Sequence, residues 1–576
     1  MRLYFIASIA ISSFLFTFLS CKNDSSVPAA PDTRIVIRLA DNPERINPIL
    51  FPSGPAREVY QYIFLPMAEL DGESLEFIPV MIKNIPVLKE DNGKISLSVE
   101  ILEEASWSDG KPVTADDYIF TLKTIFHPEC NTFAYKYLVD QVDSVSVDSE
   151  NKKKFTIYFS DYAMQLIESA LSFEILPAHL YDPDNNGEGF SLADLKNEEK
   201  TAALDSTESY HRFAESFNSQ KYSAEIIEGS GPYAFIEWKP NESIVIKRKE
   251  NYWGSGKGQS LDNRPSEIVF AIIPDEVSAL TQLSEGKIDV ISNVSQNSLS
   301  LFEDSLKMAK NFEVLKVQQP RYFVLLLNHK HPALSEPAVR KALDMLHNDP
   351  EYIEVFENGE GIDMYSFVPE FLPGHSKEIP PTVFNPEQAK AELQAAGWND
   401  TNSDGTLDKV IGGKKQELKL RYLASGGQGI NIGLLFKDAC AKAGIAIEVV
   451  QKDFALIRKE NIATDDFEVV ASVMSVDLFL ENPFDTYHSS NIETSNPNNY
   501  QSSTSDSLIT VITETRDQKV RLAAHAQLQK QIKQDAVMLF LYSPISRIAI
   551  SNKWDAKVYF TRPGYKANTF VPAVVN

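Results

Sequence analysis

Residues 107–126, WSDGKPVTADDYIFTLKTIF, constrain the fold of this chain more tightly than any other stretch. They require a strand end, a tight turn and a capped helix in quick succession. Ser108, Asp109 and Gly110 supply the turn, with an Asp side chain able to bond forward and a glycine free to adopt positive φ. Thr114 lies three residues before Asp117, a variant of the capping box that also sets an acid in the first turn, where the helix dipole favours it. Ile119, Leu122 and Phe126 then recur at helical spacing, with Tyr118 and Ile125 flanking them on one broad apolar face.

Later segments alternate in kind. Residues 229–254, GSGPYAFIEWKPNESIVIKRKENYWG, predict a hairpin: a strand over 233–238, a turn over 239–242 and a return strand over 243–249 with Ile244 and Ile246 on one face. Strand patterns also occupy 34–40, 96–102 and 140–159, and 322–328 reads as a buried strand. Asp275 predicts a helix start, with Val277, Leu280 and Leu283 inward and Gly286 as its stop; residues 288–291 resume as a strand. Further helices are expected after Pro337, with Val339, Leu343 and Leu346 inward, and after the capping residues Asn385 and Gln388. Strands and helices interleave throughout, which gives an α/β protein. At 576 residues, 43% of them apolar, it is globular and too long for one core.

The net charge of −25 disfavours nucleic acid and anionic membrane surfaces as partners. At the N-terminus, Arg2 precedes an uncharged apolar run over 3–19, short for a membrane span and suited to a secretory leader. Ser20 and Cys21 follow, and then a polar Lys22, Asn23 and Asp24. The expectation is a signal peptide over 1–20 and a tether over 21–33, lipidated at Cys21 as in a bacterial lipoprotein. That places the protein in the cell envelope, held to a membrane and facing the periplasm or the exterior. Cys130 and Cys440 are expected to be buried and free.

No catalytic pattern stands out. The chain has no G-x-S-x-G, H-E-x-x-H or G-x-x-x-x-G-K-[ST] motif. His329 and His331 lack a third ligand nearby. The run DTNSDGTLD at 400–408 carries oxygens at calcium-loop positions, but Ile411 stands where a bidentate Glu is needed, so it reads as a polar turn. The chain is read as a non-enzyme without cofactor or metal.

The segment at 107–126 resembles the WSDGKPxTAxDVxFSLK run of the family 5 extracellular solute-binding proteins, the peptide receptors of ABC importers, and 229–254 resembles their GTGPYxxxxWxPxExIxLxRNxxYW run. Weaker likenesses continue in order: RLADNPERINPIL near the start, LSEGKIDVI at 283–291, AVRKALDML at 338–346 and NPEQAKAELQAAGW at 385–398. The resemblance implies a three-lobed fold like the type II periplasmic binding proteins, with mixed sheets and a hinge. The lobes are expected at 34–59 with 201–320 and 536–576, at 60–200, and at 321–535. It further implies capture of a peptide by lobe closure, its main chain bound as an added strand. Delivery to ABC permease subunits would follow, the protein acting as a monomer. A non-peptide solute (an oligosaccharide or a chelated metal), or signalling without import, is the alternative. In such receptors a carboxylate in a "DYxxP" segment pairs with the ligand's α-amino group. The matching stretch here, 475–487, sets Phe479 at that position, with Asp477 and Glu481 either side. Asp477 is therefore the expected amine partner, and Phe479, Asn482, Tyr487, Tyr322 and Asn328 are the expected pocket residues.

Overall fold

The computed structural model describes residues 33–50, 53–306, 311–479 and 482–574. The expected leader, the tether and Cys21 lie outside the described residues. No helix among those described is long and apolar enough to cross a membrane.

The first lobe is built on a seven-stranded mixed sheet. Arg34–Leu39 runs parallel to Glu267–Ile272, and the hairpin Tyr233–Lys239 and Ser243–Arg248 extends that side. On the other side stand Val290–Ile291, Ile545–Ser551 and Phe312–Gln318. Alternation buries Ile35, Ile37, Ile244 and Ile246 together in one core, which continues into the second lobe. Gly231 lets the hairpin approach the segment before it. Its N–H donates to Ile63 O at 2.8 Å, and a Cβ there would lie 2.6 Å from Tyr62 O.

The second lobe holds a four-stranded antiparallel sheet, Lys89–Asp91, Lys94–Glu100, Lys154–Phe159 and Val142–Val147 in spatial order. The helix Ala115–Phe126 lies on it, with Tyr118 against Phe155 at 5.0 Å. Asp117 fastens the start of this helix. Its buried carboxylate accepts from Thr114 N at 2.9 Å, Ala178 N at 3.0 Å, and both Thr114 Oγ1 and Trp107 Nε1 at 3.3 Å. Gly110 takes φ +83°, and Asp109 Oδ1 accepts from Lys111 N at 3.0 Å, as the turn chemistry requires. Helices Glu198–Leu204 and Glu208–Asn218 continue this lobe: Tyr210 stacks on His127 at 4.1 Å and Phe213 meets Phe120 at 5.8 Å. The aromatic face of Glu208–Asn218 holds that helix here, away from the first lobe to which residues 201–218 were expected to belong.

In the third lobe, five strands lie in the order Ala446–Gln451, Lys419–Ala424, Val469–Ser475, Arg321–Leu327 and Met538–Phe540. Period-2 alternation along Arg321–Leu327 sends Leu325 and Leu327 into one core with Leu343 and Trp398, and Tyr322, Val324 and Leu326 into another with Ile509 and Leu528. Met538–Phe540 pairs with Val324, Leu325 and Leu326, so it belongs to this sheet and not, as expected from the sequence, to the first lobe.

The chain crosses between the first and third lobes twice at one place. Phe312–Gln318 leads through Gln319 and Pro320 into Arg321–Leu327, and Tyr542–Ser543 leads through Pro544 into Ile545–Ser551. Gln319 N donates to Pro544 O at 3.0 Å, and Ser543 Oγ to Gln319 O at 3.1 Å. Proline has no N–H to extend a ladder, so both crossings break their sheets at the same level, which is the construction of a hinge.

Candidate functional site

A cavity of about 960 Å3 opens on this hinge. Its floor is the crossing itself, including Gln318, Arg321 and Arg547, and its walls come from the two lobes it joins. The first lobe contributes the start of helix Gly54–Tyr60 and the loop carrying Arg562; the third contributes Glu357 and the start of helix Gly427–Lys442. A second, largely apolar recess of about 450 Å3 shares Gly427 and Gln428 with it and is lined by Phe323, Tyr422, Phe454 and Val473. Here the third sheet is incomplete. Val469–Ser475 pairs with Lys419–Ala424 only at Val469 and Val470, which leaves residues 471–475 without a strand partner on that edge. Such an edge can accept an extended chain through main-chain hydrogen bonds.

The loop bearing Arg562 is held firmly. Tyr559 N donates to Gly564 O and Gly564 N to Thr561 O, both at 2.8 Å, and Gly564 sits at φ +98°, where a side chain would be strained. Phe560 stacks on Phe371 of the third lobe at 4.5 Å, with the rings 9° from parallel.

Charges at the cavity differ in how well they are matched. Arg547 donates from Nε to Glu360 at 3.1 Å and from Nη1 to the Glu357 carboxylate at 3.4 Å. Burial pushes the Glu357 pKa up, and Arg547 opposes the shift. Glu58 accepts from Tyr565 Oη at 2.9 Å and from Ser292 Oγ at 3.5 Å; burial still pushes its pKa up to about 7. Arg321 Nε, by contrast, is buried without an acceptor, as is Gln318 Nε2 beside it.

The six residues singled out from sequence do not converge, and none lines either cavity. Tyr322 turns into the core against Phe540 at 5.9 Å, on the sheet face opposite the recess. Asn328, at the far end of the same strand, donates to Asp465 O and Phe467 O at 2.9 Å. Tyr487 is buried against Phe367 at 5.0 Å, and the exposed Asn482 accepts from Phe484 N at 3.1 Å. Asp477 and Phe479 do meet another lobe. Asp477 accepts from Gln165 Nε2 at 2.7 Å, and Phe479 meets Phe77 edge to face at 5.7 Å. Burial raises the Asp477 pKa, while the Gln165 contact and Phe479 N lower it. Val476 N donates to Pro320 O at 2.9 Å, so Asp477 stands one residue from the cavity floor. Sequence reasoning missed Arg321 and Arg562. A charged residue opening a buried-type strand was a usable signal for Arg321; no local signal marked Arg562.

The run at 400–408 is a turn. Asp400 accepts from Asp404 N at 3.2 Å and Gly405 N at 3.0 Å, and Thr401 and Lys415 engage Asp408. Cys130 and Cys440 are buried and free.

Residues 82–541 match the sequence family described as bacterial extracellular solute-binding proteins, family 5 Middle. The chain belongs to this family of ABC-importer receptors. It is 25% identical over 488 residues to the oligopeptide-binding protein AppA of Bacillus subtilis, covering 82% of this chain and 80% of AppA. The structure of AppA in complex with a nonapeptide matches 94% of this chain and 100% of its own, with a TM-score of 0.65 at 21% identity. NikA from Brucella suis, in complex with Fe(III)-EDTA, likewise matches 94% of this chain and 100% of its own, with a TM-score of 0.73 at 17% identity. The fold is thus that of the periplasmic solute-binding proteins.

Proposed function

We propose that this protein captures peptides in the hinge cavity, closes its first and third lobes over them and delivers them to a membrane permease. The reading is carried by the open edge of residues 471–475, which runs along the recess that adjoins the cavity. Main-chain pairing there gives affinity with little dependence on side chains, and the apolar recess admits side chains of varied shape. Asp477 and Phe479 are the sequence-selected residues we retain as ligand contacts. A ligand amine would replace Gln165 on the Asp477 carboxylate. Removal of residues 1–20 and lipidation of Cys21 would anchor the receptor to a membrane, and it would work as a monomer. No bond is made or broken in this scheme.

The test is native mass spectrometry of the purified protein together with its thermal unfolding midpoint in peptide mixtures. Adducts with peptide masses, and a midpoint that rises with peptide concentration by mass action, are expected. A uniform non-peptide adduct and a midpoint indifferent to peptides would overturn the reading.

A further inference from the structure

The hinge cavity is electropositive in a protein whose net charge is −25. Arg57, Arg321, Arg547 and Arg562 line it, against Glu58 and Glu357. Arg547 and Glu357 satisfy one another, and Glu58, with its pKa near 7, is only partly ionised at neutral pH. Among the described residues neither Arg321 nor Arg562 forms a salt bridge, although Glu357, already engaged by Arg547, lies within electrostatic reach of Arg321. They line the cavity from opposite lobes, and the Arg562 charge adds to burial in lowering the Arg321 pKa, a shift that the Glu357 carboxylate opposes. Helix Gly427–Lys442 adds to this field: its N-terminus opens on the cavity and carries no capping side chain, so the positive end of its dipole is uncovered.

Two like charges set across a hinge oppose its closure until something negative lies between them, and a buried guanidinium N–H without an acceptor is destabilising until one arrives. We propose that the ligand carries an anionic group, a carboxylate or a phosphate, that binds in the hinge cavity between Arg321 of the third lobe and Arg562 of the first. Arg321 Nε and Gln318 Nε2 donate to it from the floor and Arg562 closes over it. The anion thereby couples ligand chemistry to lobe closure. This inference rests on the cavity being the ligand site, and deepens that reading by naming the charge the ligand must bear.

The experiment is titration calorimetry with pentaalanine bearing a free C-terminal carboxylate, pentaalanine C-terminal amide, citrate and inorganic phosphate. The proteins are the wild type, Arg321→Gln and Arg562→Gln. The free acid is expected to bind about tenfold to a hundredfold more tightly than the amide, as a charge-assisted hydrogen bond requires. Either substitution should remove most of that difference. Without ligand, Arg321→Gln should unfold no earlier than the wild type, because it discards a half-buried charge that no salt bridge matches; Arg562 is exposed, so its variant isolates the charge from any packing loss. Equal binding of acid and amide would overturn the anion and leave peptide capture standing. Citrate or phosphate binding that both substitutions abolish, with neither pentaalanine bound, would support the anion and overturn peptide capture. If no probe bound folded protein, both would fall.

Discussion

Asp117→Ala is the substitution whose cost follows most directly from the structure. It strips the acceptor from three N–H donors, Thr114 N, Ala178 N and Trp107 Nε1, and from the Thr114 hydroxyl, at 2.9 to 3.3 Å. Each buried donor left without an acceptor costs roughly 1–3 kcal/mol. Three such donors, partly relieved by water entering at the helix start, give a loss of roughly 3–6 kcal/mol. For a cooperative unit of about 150–250 residues, each kcal/mol moves the midpoint by about 2–4 °C, so a fall of roughly 6–24 °C is expected. Asp117→Asn refines the argument. Its one carbonyl oxygen can keep the three donors now on Oδ2, while its amide is turned against Ala178 N, so only one donor is lost and the fall should be about a third as large. Scanning calorimetry, with intrinsic fluorescence of Trp107 as a local probe, measures both. A shift under about 2 °C for Asp117→Ala would refute the claim that this carboxylate fastens turn, helix and Ala178 together.

Other positions give equally definite outcomes. Glu58 has a folded pKa of about 7, above its usual value, so the folded state binds the extra proton and stability is greatest below the unfolded pKa near 4.5. Stability should fall as pH rises from about 4.5 to about 7, by on the order of 3 kcal/mol. Glu58→Gln should flatten that slope in urea titrations at several pH values; an unchanged slope would contradict the burial of this carboxyl. Gly231→Ala places a Cβ 2.6 Å from Tyr62 O, a backbone atom that cannot rotate away, and should lower the urea midpoint by the equivalent of about 1–3 kcal/mol. Phe479→Ala removes the edge-to-face contact with Phe77, and hydrogen exchange at Phe77–Pro79 should accelerate severalfold while the third-lobe sheet is unaffected.

What could be read from the sequence was local. The Thr114 and Asp117 pair, the hairpin around Asn241, the Asp275 cap and the Gly286 stop all form as their neighbours dictate, because each needs only residues within a few positions. The three-lobed plan followed from the resemblance carried by those same segments. The site was less legible. Tyr322 was selected for its place in a buried strand, yet alternation turns it away from the recess that its neighbour Phe323 lines. Arg321 and Arg562 lie 241 positions apart, and only the double crossing at Pro320 and Pro544 brings them to one cavity. Met538–Phe540 joins the third lobe because its ladder partners are Val324 to Leu326, a pairing no short window contains.

Closure of the first and third lobes about this hinge is the central claim, and an inter-lobe distance tests it most directly. Spin labels at Ser300→Cys, on the first-lobe helix Gln296–Leu306, and at Lys437→Cys, on the third-lobe helix Gly427–Lys442, occupy exposed positions, whereas the thiols of Cys130 and Cys440 are buried. Pulsed electron–electron resonance should give a broad distance distribution in protein stripped of ligand, and a shorter, narrower one when tri- to nonapeptides with free carboxylates are added. A distribution unchanged while calorimetry on the same sample reports saturated binding would contradict closure as the means of capture.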